Sequence, residues 1–309
     1  NNQVLGDSYG YRDHRTEGMD DVVNKVIDEK QLYTKTGIQK QIFNTIYQLT
    51  AVKENTPELL EKAKTFLMLP DYFQFLFTGN KMCEYTNAST TQLVSPETYQ
   101  WDEELIESLG FPKDIFLPIS MPGTLVGTLK EDIKNDVGFD LDVVLCGSHD
   151  TASAVMAVPA GASESVYISS GTWSLMGIES KKAIINDDAR LANFTNEGGY
   201  EHRFRFLKNI MGLWMIQSIR HEYNDAYSFA ELCEMAKENT DFPSRVDVND
   251  DMFLSPDNMT KAVQNYCKDT GQKVPETIGE LAAVVYQSLA ICYKKAIKNL
   301  EGIAGKTYN

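Results

Sequence analysis

The stretch Asp142-Val143-Val144-Leu145-Cys146-Gly147-Ser148-His149-Asp150-Thr151 most constrains what this chain can fold into. A short apolar run ending in glycine reads as a buried strand. The small residues Ala152-Ser153-Ala154-Val155-Met156-Ala157 follow at once and suit a helix packed tightly on a sheet. A strand feeding directly into a helix predicts an α/β fold. In open α/β sheets, ligands bind where a strand's C-terminal end meets the start of a helix. Asp150 stands there, a candidate acceptor for the proton of a substrate hydroxyl. It is equally a candidate helix N-cap, with His149 a satisfied surface or core histidine.

The first half of the chain is mostly helical in pattern. Thr56 suits an N-cap and Pro57 the first helical position, and Leu59, Leu60, Ala63, Phe66 and Leu67 then share one face. A helix over 71–77 is expected to stop at Gly79, with Tyr72, Phe73, Phe75 and Phe77 as core packing. After the strand–helix unit, residues 165–169 and 173–178 read as a hairpin about the turn Ser170-Gly171-Thr172. Residues 202–207 alternate as a strand, and 210–223 look helical. Thr277-Ile278-Gly279-Glu280 is a capping box opening a long helix. Its buried stripe is Leu281, Val284, Val285, Leu289, Cys292, Ala296 and Leu300, and Gly302 and Gly305 close it.

Composition narrows the partners. Twenty-nine basic against forty-four acidic residues give a net charge of −15. That field repels nucleic-acid backbones and anionic membrane surfaces, while local backbone amides can still bind a small phosphate. No run approaches the ~20 apolar residues of a membrane span. Five scattered cysteines without CxxC spacing predict reduced, mostly buried thiols in a cytoplasmic protein. At 309 residues two domains are expected, 1–158 and 159–309, divided near Pro159-Ala160-Gly161-Ala162. The chain begins Asn1-Asn2-Gln3, without methionine, and stops just past a helix, which predicts a piece of a longer polypeptide.

Three further segments offer chemistry. Ser169-Ser170-Gly171-Thr172 can present backbone N–H groups and a threonine hydroxyl to a phosphate, although most such turns merely connect strands. It lacks the GxxxxGK[ST] spacing of a Walker A loop. Asn209 and Gln217 bracket an apolar helical start; an asparagine amide offers the donor and acceptor that a sugar hydroxyl needs, and Asn209 serves equally as an N-cap. Tyr11-Arg12-Asp13-His14-Arg15-Thr16 reads as a charged, solvated loop. The histidines His14, His149, His202 and His221 lie far apart in sequence without HExxH spacing, so no protein metal cluster is expected.

Taken in order, these segments resemble one family. The 11–16 stretch, Leu69-Pro70-Asp71-Tyr72-Phe73, Glu84-Tyr85-Thr86-Asn87-Ala88-Ser89-Thr90-Thr91-Gln92-Leu93, 147–155, 169–177, Asn196-Glu197-Gly198-Gly199 and 208–214 are similar to the FGGY carbohydrate kinases, in their rhamnulokinase branch. The resemblance implies an α/β, actin-like ATPase fold of two ribonuclease-H-like domains with a cleft between them, incomplete here at both termini. It implies that 1–158 is the remainder of a sugar-binding domain and 159–309 the first part of a nucleotide-binding domain. It implies transfer of the ATP γ-phosphoryl group to the 1-hydroxyl of L-rhamnulose with Mg²⁺, in rhamnose catabolism, the alternatives being another sugar or polyol kinase or a non-catalytic sugar-binding remnant.

Carried over residue by residue, the resemblance makes Asp150 the catalytic base. His149, Thr151 and Asn209 join it in contacting sugar, and Gly171, Thr172 and Gln217 contact ATP. The 11–16 and 86–89 stretches match without a chemical role. An Asp-x-Gly-x-[Ser/Thr] phosphate loop, a Thr-Trp-Gly-Val-Asp stretch and a Gly-rich adenosine segment of the family are not found. The 309 residues alone are therefore expected to bind ATP poorly and to be inactive.

Overall fold

The computed structural model describes residues 2–11, 13–158 and 165–308. It divides into two compact units, Asn1–Ser163 with Ile178–Leu207, and Glu164–Gly177 with Lys208–Asn309. The expected boundary at Pro159-Ala160-Gly161-Ala162 lies outside the described residues. Residues 178–207 group with the first unit, so the chain passes between the two units three times.

The first unit is rich in short helices. Those at Met19–Asn24, Glu29–Thr36 and Thr45–Asn55 pack with Glu103–Ser108 around Leu32, Ile46, Leu93, Leu105 and Ile106, all at most 1% exposed. A parallel pair, β1 (Cys83–Glu84) and β2 (Ile119–Ser120), lies in this unit, as does an antiparallel ribbon of β3 (Leu125–Thr128) and β4 (Asp142–Val144). In the second unit, β5 (Tyr167–Ser170) and the first part of β6 (Ser174–Ser180) form the expected hairpin, in register Tyr167↔Gly177 to Ser170↔Ser174. Back in the first unit, β7 (Thr195–Gly198) pairs antiparallel with the first part of β8 (Phe204–Ile210). Together β5 to β8 make a four-stranded sheet in the order β5-β6-β8-β7.

The second unit is built on the helix Ile278–Ala304. Its capping box is complete: the Glu280 N–H donates to the Thr277 hydroxyl, and the Glu280 carboxylate accepts the Thr277 N–H. Leu281, Val284, Val285, Leu289, Ala296 and Leu300 are buried along the expected stripe, with Cys292 half-buried. Gly302 lies inside the helix, and Gly305, left-handed at φ 63°, ends it. The Phe229–Glu238 helix packs along it.

Several local expectations are corrected. The helix after Thr56 spans only Pro57–Lys62; Thr56 holds the N-cap position before Pro57 as expected, but its hydroxyl donates back to Val52 O and makes no capping bond. Phe66 is extended rather than helical: its N–H donates to Ile115 O at 2.8 Å and its ring packs on Phe116 and Trp101. A backbone pairing with a distant segment outcompetes a marginal helical turn. The next helix, Leu69–Thr78, does end at a left-handed Gly79. Phe73 and Phe77 on it are 51% and 46% exposed, because the one residue this helix buries fully is Asp71. The strand at 142–147 is likewise shorter and more open than expected. Among the described residues β4 pairs with β3 alone, Val144 is 48% exposed, and burial resumes at Leu145. Cys83 and Cys267 are buried, but Cys146 and Cys233 are exposed.

Candidate active site

The strand–turn–helix expected around Asp150 is present. Residues 145–149 leave β4 as irregular backbone, and a helix spans Asp150–Met156 with His149 as its N-cap. Asp150 is therefore the first helical residue and not the cap. Its Oδ1 accepts the N–H of Thr151 at 2.6 Å and faces the Thr151 hydroxyl at 3.3 Å. The Asp150 side chain is 97% exposed, so its carboxylate stands open to a ligand. The His149 ring, with Nδ1 at 3.3 Å, is the main reason the Asp150 carboxyl lies well below the ordinary carboxylate range. A carboxylate that is ionised, open and oriented has the properties of a proton acceptor.

This turn is held by a residue whose role the sequence did not disclose. Glu84, fully buried at the end of β1, accepts both the N–H (3.1 Å) and the hydroxyl (2.6 Å) of Ser148. It also accepts the N–H and hydroxyl of Thr86 and the N–H of Asn87. The Thr86 oxygen in turn accepts the N–H of His149 at 3.2 Å. Ser89 Oγ accepts the N–H of Gly198 at 2.7 Å. The segment 84–89 is thus a clamp that holds the backbone N–H groups of Ser148 and His149 and, through Ser89, that of Gly198 on β7. The wealth of hydroxyls around one acid was its only sequence signal. A buried carboxylate surrounded by five donors is satisfied as a charge, which a carboxamide cannot match.

On the far side of the imidazole lies Glu197 of β7. Its Oε2 is 3.7 Å from His149 Nε2 and 3.1 Å from Arg205 Nη2. Arg205 of β8 is directly opposite Glu197 in the strand register and is completely buried.

The other residues expected to act lie in the second unit. Gly171 and Thr172 form an exposed turn between β5 and β6. The N–H of Gly171 is used inside the turn, donating to Trp173 O at 2.8 Å. The carbonyls of Gly171 and Thr172 accept the N–H groups of Leu213 (3.0 Å) and Trp214 (3.1 Å). Steric demand falls on a glycine that the sequence reading passed over. A Cβ at Gly212, φ 65°, would meet Ser174 N and Trp173 C at 2.5 Å, whereas one at Gly171 would find only Trp173 O at 3.8 Å.

Asn209 is on β8, and the helix after it begins only at Trp214, so Asn209 is not an N-cap. Its Oδ1 is buried without a hydrogen-bond partner among the described residues. Gln217 sits one turn into the Trp214–Glu222 helix, half-buried. In the 11–16 stretch, Asp13 caps a short helix by accepting the Arg15 N–H, Thr16 is buried, and Arg12 lies outside the described residues. The stretch is more ordered than a solvated loop: the Arg15 guanidinium reaches Gln48 at 2.7 Å. Among the described residues no group of three metal-ligating side chains converges, and no helix is long and apolar enough to cross a membrane.

Known proteins resemble this arrangement. The model of the FGGY carbohydrate kinase N-terminal domain matches residues 1–157, and that of the C-terminal domain residues 166–307. A rhamnulokinase of Halalkalibacterium halodurans is 52% identical over 98% of the chain, which covers 65% of that protein. One from Bacillus subtilis is 44% identical over 98% of the chain, covering 62% of its own length. The chain thus spans about two thirds of the curated relatives it matches. Among solved structures, a xylulose kinase from Lactobacillus acidophilus aligns at a TM-score of 0.73 and 17% identity, over 96% of this chain and 60% of that one. Plasmodium falciparum glycerol kinase aligns at 0.70 and 14% identity, over 98% and 61%. These two share the fold. With both domain models matched in order, the chain belongs to the FGGY family of carbohydrate kinases.

Proposed function

We propose that the protein carrying this chain transfers the γ-phosphoryl group of ATP to the 1-hydroxyl of L-rhamnulose, in the cytoplasm. The observation that carries the reading is the Asp150 carboxylate, open to solvent and kept ionised by His149. Such a group accepts the hydroxyl proton as the oxygen attacks, a contribution of about 10²–10⁴ in rate. Phosphoryl transfer otherwise needs positioning and charge neutralisation rather than covalent chemistry. His149 and Thr151 hold the base, and Asn209 offers its orphaned acceptor to a sugar hydroxyl. That these act on a rhamnulose rather than another ketose rests on the identity to the two rhamnulokinases.

The exposed turn at Gly171 and Thr172 fits the phosphates of a nucleotide, with Gln217 toward the rest of it. Thr172 supplies a hydroxyl and a backbone N–H, whereas the Gly171 N–H is already engaged. Mg²⁺ brought by ATP neutralises phosphate charge and is held chiefly by phosphate oxygens. In this reading residues 1–158 serve the sugar and 159–309 the nucleotide.

The test is a coupled ATPase assay of the full-length protein across L-rhamnulose, L-fuculose, xylulose and glycerol. L-Rhamnulose should show the highest kcat/KM. A higher value for any of the others, or no turnover of any, overturns the reading.

A further inference from the structure

We infer that Glu197, anchored by Arg205, is a positioning residue that acts through the His149 ring on Asp150. The inference deepens the proposed kinase reading and rests on it for its catalytic consequence. The geometry is a chain of four groups in one unit: Arg205 Nη2 to Glu197 Oε2 at 3.1 Å, Glu197 Oε2 to His149 Nε2 at 3.7 Å, and His149 Nδ1 to Asp150 Oδ1 at 3.3 Å. Exposure rises along it, with side chains 1%, 5%, 21% and 97% exposed. A buried anchor thus leads to an open carboxylate.

A buried ion pair is a weak stabiliser, because desolvation offsets its attraction, so stability alone does not explain burying Arg205. Its placement does have a geometric use. Arg205 Nε donates to Gly198 O at 3.1 Å, which ties the guanidinium to the strand that carries Glu197. The Gly198 N–H is tied to Ser89, and a Cβ at Gly198 would strike the Tyr85 ring at 2.4 Å. The Glu197 carboxylate therefore has a fixed position against the imidazole. A further acid tied to this turn is Glu84, which acts on the His149 backbone through Thr86 and on its neighbour Ser148. The His149 N–H is held by Thr86, just after β1, and its ring faces the Glu197 carboxylate of β7. The ring orientation then decides whether Nδ1 faces Asp150, and that contact is the leading cause of the depressed Asp150 carboxyl.

The experiment compares full-length wild type with Glu197→Gln and with the double variant Glu197→Gln/Arg205→Met, which leaves no buried charge unpaired. A positioning role predicts a 10- to 100-fold lower kcat in both. It predicts a KM for ATP within twofold of wild type and an acid limb of the kcat profile moved at least one pH unit upward. It further predicts altered ¹⁵N resonances of the His149 ring, assigned against His149→Asn. A double variant with wild-type kcat and an unmoved acid limb overturns the inference, as do unmoved ring resonances. The ring resonances do not depend on turnover. If wild type phosphorylates no ketose while they move, the kinase reading fails and the positioning geometry stands.

Discussion

The carboxylate of Glu84 accepts both the backbone N–H and the hydroxyl of Ser148, at 3.1 and 2.6 Å, two residues before Asp150. The turn that leads into the candidate base is therefore held by an acid more than sixty residues earlier in the chain. Glu84→Gln places an amide donor among groups that are all donors. Its expected cost is about 2–4 kcal/mol of stability, read from chemical denaturation. Thr86→Val should cost less, since it removes one donor to Glu84 and one acceptor for His149.

Asp150→Asn removes the proposed proton acceptor and keeps the shape. In the full-length protein kcat should fall at least about 10²-fold. Binding of L-rhamnulose, followed by calorimetry, should persist. Near-normal turnover would take Asp150 out of the mechanism.

Gly212 is pressed against the backbone of the 172–174 turn, at 2.5 Å for a Cβ and at a φ of 65°. Backbone atoms cannot step aside as a flexible side chain can. Gly212→Ala should displace the turn, cost about 2 kcal/mol or more in a thermal melt, and raise the KM for ATP. Gly171→Ala has room in the protein itself, so any rise in KM for ATP without loss of stability would report contact with the nucleotide.

Asp71 introduces a pH dependence of stability. It is 1% exposed, its Oδ2 has no hydrogen-bond partner among the described residues, and burial pushes its carboxyl from 3.8 up to about 7. The folded protein favours the neutral acid. The stability this group contributes is thus fully present below about pH 4 and lost as pH rises through about 7. Asp71→Asn should flatten that part of the stability profile and melt higher than wild type at pH 8. The gain is bounded by about 4 kcal/mol. A wild-type profile that rises between pH 5 and 8 without Asp71→Asn changing its slope would contradict the assignment.

Much of the local structure was legible. The capping box at Thr277 and Glu280, the buried stripe after it, the stop at Gly79 and the hairpin at 167–177 all depend on neighbours within a few residues. The same holds for the strand-to-helix turn at Asp150. What was not legible depended on distant partners. The Thr56 helix stops early because Phe66 pairs with Ile115 and Phe116. Asn209 is on a strand because β8 runs three residues beyond its β7 partners. Phe73 and Phe77 are open although their spacing suits a core.

By itself the sequence determined the family and many of the local elements, and it nominated the residues proposed to carry the chemistry, because propensity, capping and motif order are local properties of the chain. Only the tertiary structure decided that Glu84 clamps Ser148, that Gly212 supports the turn at Thr172, and that Glu197 and Arg205 stand behind His149. Each of these joins segments 40 to 64 residues apart or, in the last case, a strand pair to a distant turn. A hydrogen bond or ion pair of that range has no period for a sequence to show, and it exists only once packing brings its two ends together.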